Sequence, residues 1–383
     1  MTAPAGPAAA TGQFTVGVDI GGTFTDLVAV ASDGSMRVAK VPSTPRNYAD
    51  GVAAGLVKLG VAGTEIGRFA HGTTAAINAI LTKGGAATGL LTTRGFRDVF
   101  EIRRSDRGDM FNYWWRAPDP LVSRENRFEI GERVAFDGTI VAELNEDDVA
   151  DAVARMRARG IESVAICFLN SFVNPEHELR TKAIVQELWP EVYVCASGEI
   201  APEILEFERT ATTTANAYVG PIMQSYLGSL RSHLDEIGCD QEVLVMSSAG
   251  HVMTVDTALD VPISTAISGI AAGVMAGVAL AESAQRPNLL TLDVGGTSSD
   301  IALIWEGRPR TTMQWDVEFG LPIRHPAVDI HTLGAGGGSI ARVDAGGVLH
   351  VGPESAGSDP GPACYGRGAG FATTTDAQLV LGR

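Results

Sequence analysis

The chain has 383 residues, 45% of them apolar and 19% charged, a composition that fits a globular protein with sizeable cores and more than one domain. Its 29 basic against 45 acidic side chains leave a net charge of −16, which argues against nucleic acid and membrane surfaces as partners, because both repel it. The cysteines, Cys167, Cys195, Cys239 and Cys364, are far apart and form no C-x-x-C pair, so the expectation is a reducing, cytoplasmic compartment without thiol-bound metal.

Residues 1–12 carry neither a basic cluster nor an apolar run, so they read as a frayed tail and not as a signal peptide. Residues 14–20 alternate as a buried strand, and residues 27–31 look like an antiparallel partner after a turn. Helical spacing marks residues 50–59 and 75–81, with a strand at 89–93. Residues 101–128, rich in Arg, Asp and aromatics including Trp114 and Trp115, read as an irregular excursion that covers a local core or meets a partner. Asn145 is a candidate N-cap for a helix over 146–159, and 163–169 is a central strand by its apolar run. A helix over 202–234 and a strand at 243–246 follow. The uncharged stretch 261–281 is dominated by Ala, Gly and Ser, holds Pro262 and lacks flanking basic residues, so a buried helix is preferred over a membrane span. From residue 289 onward the pattern is strand and glycine-rich loop. Strands alternating with helices give an α/β class, with domains expected at 13–200 and 201–383.

One pattern decides the reading. Asp19-Ile-Gly-Gly-Thr-Phe-Thr-Asp26 recurs 274 residues later as Asp293-Val-Gly-Gly-Thr-Ser-Ser-Asp300, with five of eight residues identical. Each copy lies between two apolar strands, so each is a hairpin with a Gly-Gly-Thr turn. Glycines let backbone N–H groups approach a phosphate without an intervening Cβ. Gly21, Gly22, Thr23 and Thr25 in the first copy, and Gly295, Gly296, Thr297 and Ser298 in the second, are the candidate phosphate ligands. Asp19 and Asp293 are candidates to hold Mg²⁺ or to aim water and phosphate, while Asp26 and Asp300 are placed to lock each hairpin by accepting backbone N–H bonds. Two such hairpins facing each other would clamp a polyphosphate. The arrangement resembles the actin/sugar-kinase/Hsp70-like duplicated ATPase fold, which implies ATP as the ligand. No G-x-x-x-x-G-K-[ST] occurs, and glycines in hairpins disfavour a dinucleotide fold. A third cluster, Gly336-Gly337-Gly338, is either a further nucleotide contact or a hinge loop.

With these motifs in view the chain is similar to the hydantoinase A/5-oxoprolinase family, which includes the related subunit of acetone-type carboxylases. The supporting segments stand in family order: GVDIGGTFTDLV (17–28), HGTTAAIN (71–78), TTRGFRDV (92–99), EIRR (101–104), NPEHELR (174–180), FERTATTTANAYVGP (207–221), DVGGTSSDIALI (293–304), TLGAGGGSIARVD (332–344) and VGPESAGSDPGPACYGRG (351–368). The resemblance implies ATP-dependent hydrolysis of a cyclic amide or imide through phosphorylation of its carbonyl oxygen, usually with a B-type subunit as partner; a homo-oligomer is left open. Three departures stand out: Ser268-Gly269-Ile270 in place of Ser-Gly-Pro, Ser247-Ser248-Ala249-Gly250 in place of Ser-Asn-Gly-Gly, and an end at residue 383 where family members continue. The second domain is therefore expected to lack its later helices.

His71, before Gly72, is placed to polarise substrate or act as a base, with a hydrogen-bonded structural histidine as the alternative. Arg209 is expected to pair within its helix with Glu206. The rival functions are a small-molecule kinase on the same scaffold, an inactive or merely nucleotide-binding subunit, and a carboxylase subunit.

Overall fold

The computed structural model describes residues 13–21, 24–44, 48–357 and 359–383, so the tail expected at 1–12 lies outside the described residues. The mixed α/β chain divides into two compact units: Met1–Gly269 with Met313–Ala327, and Ile270–Thr312 with Val328–Arg383. The expected boundary at residue 200 falls inside the first of these compact units. The helix that follows it carries Ala211, Ala215, Met223 and Leu227 into the core of the first unit.

In chain order the main elements of the first unit are β1 (Phe14–Ile20), β2 (Phe24–Ala31), β3 (Met36–Pro42), α1 (Tyr48–Leu59), β4 (Ile66–Thr73), α2 (Ala75–Leu81), β5 (Thr88–Thr93) and β6 (Arg127–Ile130). There follow α3 (Glu146–Ala158), β7 (Ser163–Cys167), α4 (Glu176–Leu188), β8 (Tyr193–Ala196), α5 (Glu206–Glu236), β9 (Val243–Met246) and β10 (Val252–Thr254). A six-stranded sheet runs β10-β9-β4-β1-β2-β3. Its β1–β2–β3 part is antiparallel, and β4 joins β1 in parallel. Along β1 the side chains of Phe14, Val16, Val18 and Ile20 turn inward while Thr15 and Asp19 turn out, the two-residue period of a strand with one face in the core. Helix α1 lies directly on that inner face: a Cβ on Gly55 would sit 2.1 Å from Leu27 Cδ1, so only glycine permits the approach.

The second sheet of this unit, β8-β7-β5-β6, is wholly parallel. Every residue of β7 is buried, in keeping with the apolar run over residues 164–167. Asn145 caps α3 as its side-chain oxygen accepts from the amides of Asp147 and Asp148. Residues 101–128 hold little regular structure; Trp115 packs edge-on against Phe319 while Trp114 is exposed.

The stretch 261–281 resolves into a short 3-10 turn, Pro262–Thr265, and helix α6 (Ser268–Ser283). Among the described residues no helix is long and apolar enough to cross a membrane. In the second unit β12 (Ser299–Trp305) lies between β11 (Leu289–Val294) and β13 (Ile330–Leu333), antiparallel to both. Helix α6 covers one face of this sheet, for a Cβ on Gly277 would come within 2.5 Å of Thr291 Cγ2 and 3.0 Å of Ile304 Cδ1.

Candidate functional site

The two repeated motifs form hairpins with the same register. Asp19 pairs with Asp26 and Ile20 with Thr25 across β1–β2; Asp293 pairs with Asp300 and Val294 with Ser299 across β11–β12. Both four-residue turns close alike: Gly21 N donates to Phe24 O at 3.0 Å, and Gly295 N to Ser298 O at 2.9 Å. A Cβ on Gly21 or on Gly295 would stand 3.2 Å from that same closing carbonyl, so one steric demand selects glycine in both. Even the outer aspartates correspond, each bonded to the strand beyond. Lys40 Nζ reaches both Asp26 oxygens at 2.6 Å, and Thr332 Oγ1 donates to Asp300 Oδ1 at 2.6 Å. These carboxylates thus lock their hairpins through side chains of β3 and β13, and not through backbone amides as expected.

Gly22 and Thr23 lie outside the described residues. In the second turn Gly296 and Thr297 are exposed, and among the described residues no hydrogen bond takes up either N–H group. Gly296 has neither a positive φ nor any atom within 4 Å of where its Cβ would be. The fold therefore gives no internal reason for glycine there. Asp293 is exposed at the strand end and, with Asp300, lines a cleft of about 230 Å³ whose wall includes Gly273 and Val274 of α6. Ser298 is half-buried beside it. In the first unit the Asp19 carboxylate lies against glycine backbone, its Oδ1 2.7 Å from a Cβ built on Gly269 and 3.4 Å from one on Gly72. Ser268 fixes that corner, its hydroxyl accepting from Thr73 N at 2.9 Å and donating to Thr73 O at 2.8 Å.

Three expectations are corrected by geometry. Thr25 is fully buried on the inner face of β2, where its hydroxyl meets Ser43 Oγ at 3.2 Å; Ser43 in turn donates to Gly21 O. It braces the turn from behind. The amides of Gly336, Gly337 and Gly338 are all committed within the protein, to Ser339 Oγ, Gly295 O and Gly296 O. A Cβ on Gly336 would lie 2.7 Å from Gly295 O, so this triplet packs backbone to backbone under the second turn and has no donor left for a nucleotide. His71 pairs with Val18, and Asp19 with Gly72, which sets the imidazole on the opposite face of the sheet from Asp19. It is 1% exposed, its Nε2 bonded to the Tyr226 hydroxyl, and burial lowers its pKa to about 4. That is the environment of a neutral core histidine, not of a base in a cleft.

A buried ionic network escaped the sequence reading. Glu178 accepts from Phe168 N, Ser197 Oγ and Gly198 N at 2.6–2.7 Å and lies 3.8 Å from Arg209 Nη1. Arg209 also donates to Ser171 and Ser197, so it bridges α5 to α4 across the first unit and does not pair with Glu206. Burial raises the pKa of Glu178, opposed by the Arg209 charge. The motifs NPEHELR and FERTATTTANAYVGP meet at this pair; their sequence distance hid the pairing. Cys167 and Cys195 are buried as expected, and burial pushes the Cys195 thiol up to about 12. Among the described residues no cluster of three or more His, Cys, Asp or Glu could hold a metal ion alone.

Comparison with known proteins agrees with these motifs. The Hydantoinase/oxoprolinase N-terminal region matches residues 15–189, and Hydantoinase/oxoprolinase matches residues 209–383. Caprolactamase subunit alpha of Pseudomonas jessenii is 38% identical, over 97% of this chain and 54% of its own length. The crystal structure of the ATP-dependent caprolactamase from that organism superposes with a TM-score of 0.83 at 37% identity, over 96% of this chain and 55% of the other. A nucleotide-free structure of acetone carboxylase, described as acting by ATP-dependent acetone carboxylation, gives a TM-score of 0.80 at 30% identity, over 97% and 55%. The chain thus spans about half the length of the curated relatives it matches. Two family models and the shared α/β architecture converge: the chain belongs to the hydantoinase/oxoprolinase family.

Proposed function

We propose that the chain is the nucleotide-binding part of an enzyme that hydrolyses a cyclic amide at the expense of ATP, built on an actin/sugar-kinase/Hsp70-like duplicated fold. The observation that carries the reading is the turn at Gly296-Thr297, where two N–H donors are open and a glycine stands without an internal need for it. Open amides with no Cβ in the way make an anion-binding concavity, and the equal register of the first hairpin extends the reading to the turn after Gly21. The exposed Asp293 carboxylate fits the hard-oxygen chemistry of Mg²⁺, which is held by one or two carboxylates with phosphate and water completing its shell. Asp19, on the equivalent position of β1, has the same role in this reading. Neither would form a metal site without the nucleotide, in keeping with the lack of a preformed ligand cluster among the described residues.

When bound, ATP supplies the activation that makes an amide carbonyl open to water. The chain's own residues bind and orient: the turn amides hold phosphate oxygens, Asp293 and Asp19 place cation or water, and Thr297 adds a hydroxyl donor. A partner subunit of the B type belongs to the same proposal, since the similar caprolactamase chain is by name a subunit alpha. The amidohydrolase reading follows the likeness to the caprolactamase subunit alpha, 38% identical over 97% of this chain.

Titration of Mg²⁺-ATP into the purified chain by calorimetry, beside Asp293→Ala, tests nucleotide binding. Saturable heat that the substitution weakens supports the reading; a folded chain that takes up no nucleotide overturns it. Product analysis with a lactam then separates the chemistries: an amidohydrolase releases phosphate and a ring-opened acid, whereas a kinase leaves a stable phosphorylated product.

A further inference from the structure

Asp19 stands between two unlike neighbours in its sheet. Across β1–β2 it faces Asp26, and like charges directly opposite repel. Lys40 on β3 offsets that charge, its Nζ 2.6 Å from both Asp26 oxygens. Across β1–β4 it faces Gly72, which has no side chain to fill the space beside the carboxylate. The backbone of Gly269 closes that space: a Cβ on Gly72 would stand 3.4 Å from Gly269 Cα and 3.4 Å from Asp19 Oδ1. A Cβ on Gly269 would come to 2.7 Å from the same oxygen, closer than a side-chain carbon stands to any neighbour, while the next nearest atoms, Asp19 Cγ and Thr74 Cγ2, are at an ordinary 3.6 Å.

Gly269 is held in this place by the residue before it. Ser268 is fully buried, and its hydroxyl bonds both Thr73 N and Thr73 O at the end of β4. The backbone itself makes no demand for glycine. Gly269 is the second residue of α6 and its φ is not in the left-handed region, so alanine would suit the helix better. Among the described residues, the contact that selects glycine at 269 is the Asp19 carboxylate.

We propose, resting on the nucleotide reading above, that Ser268 and Gly269 are positioning residues for Asp19. Ser268 pins a stretch of backbone without a Cβ against the strand end, and that backbone sets where the carboxylate stands when it meets Mg²⁺-ATP. A methyl at 269 meets the end of a flexible side chain and not backbone, so the fold holds while the carboxylate moves.

A double-mutant cycle tests it. Mg²⁺-ATP is titrated by calorimetry into the natural chain, Gly269→Ala, Asp19→Ala and the double variant, with a thermal melt of each. Gly269→Ala is expected to melt as the natural chain does and to bind Mg²⁺-ATP about tenfold more weakly, the lower end for one interaction with a charged group. In the Asp19→Ala background the same substitution leaves Kd unchanged, since no carboxylate is left to displace. A methyl that merely damages the structure lowers the melt, or weakens binding, alike in both backgrounds; that result overturns the proposal. Gly269→Ala binding as the natural chain does, with Asp19→Ala weakened, overturns the positioning role and leaves the nucleotide reading standing. If Asp19→Ala binds normally, or the natural chain takes up no nucleotide, Asp19 is no ligand and there is nothing to position.

Discussion

Substituting Gly296 by alanine separates a ligand-binding turn from a structural one. Beyond the two flanking residues no atom lies within 4 Å of the added methyl, and the backbone there is not in the left-handed region. The folded chain therefore loses nothing, and the narrower unfolded ensemble raises stability by about 0.4–1 kcal/mol. Phosphate meets the opposite effect. A methyl at the turn holds an anion's oxygen away from the N–H groups of Gly296 and Thr297, and one lost hydrogen bond to a charged group costs about 1.5–3 kcal/mol, or about 10- to 150-fold in Kd. Calorimetry with Mg²⁺-ATP and a thermal melt on the same sample read both quantities. Gly336→Ala is the contrast: its Cβ would lie 2.7 Å from Gly295 O and 2.8 Å from Ser298 N, so it destabilises by about 1–3 kcal/mol through overpacking. A Gly296→Ala chain that melts normally and binds Mg²⁺-ATP with unchanged Kd refutes the assignment of this turn to phosphate.

The remaining predictions concern the scaffold. Ile20→Ala, in the closed core, costs about 2–5 kcal/mol, whereas Val294→Ala at the equivalent position, 57% exposed, stays within about 0.5 kcal/mol; denaturant titration of the two variants checks the asymmetry. Burial holds His71 at about 4 against its ordinary 6.5, so the unfolded chain takes the proton first as pH falls. The stability this gives is whole above pH 6.5 and is lost between pH 6.5 and 4, about 3 kcal/mol in all, and His71→Phe should flatten that slope in urea melts at pH 7 and pH 5. Glu178→Ala leaves Arg209 buried with its counter-charge removed and is expected to cost about 3–5 kcal/mol in denaturant titration, with Glu178→Gln costing less; a loss below about 1 kcal/mol, the range of an exposed pair, would contradict a buried ion pair.

The hairpins were legible because their information is local: a strand period of two, a glycine-rich turn and a repeat long enough to compare. The cap of α3 and the burial of β7 were legible for the same reason. What sequence withheld depends on tertiary register. That His71 falls on the Val18 face follows from the parallel pairing of β4 with β1, which no spacing within either segment reveals. Glu178 and Arg209 each look like ordinary helix-surface charges until α4 and α5 are brought together. Likewise Gly336, Gly337 and Gly338 look like a ligand loop because close packing and ligand approach both select glycine; only the direction of their amides separates the two.

The first unit takes back Met313–Ala327, and with them Leu321 and Ile323, both buried in its core. On a ribosome that core cannot close when residue 269 emerges, nor until the second copy of the hairpin, Leu289–Trp305, has already left the exit tunnel. Folding intermediates must therefore carry both copies of the repeat before either unit is finished. Any truncation series that stops between 269 and 327 samples species with an unfilled core, and the shortest such chain expected to behave as a folded body ends past Ala327.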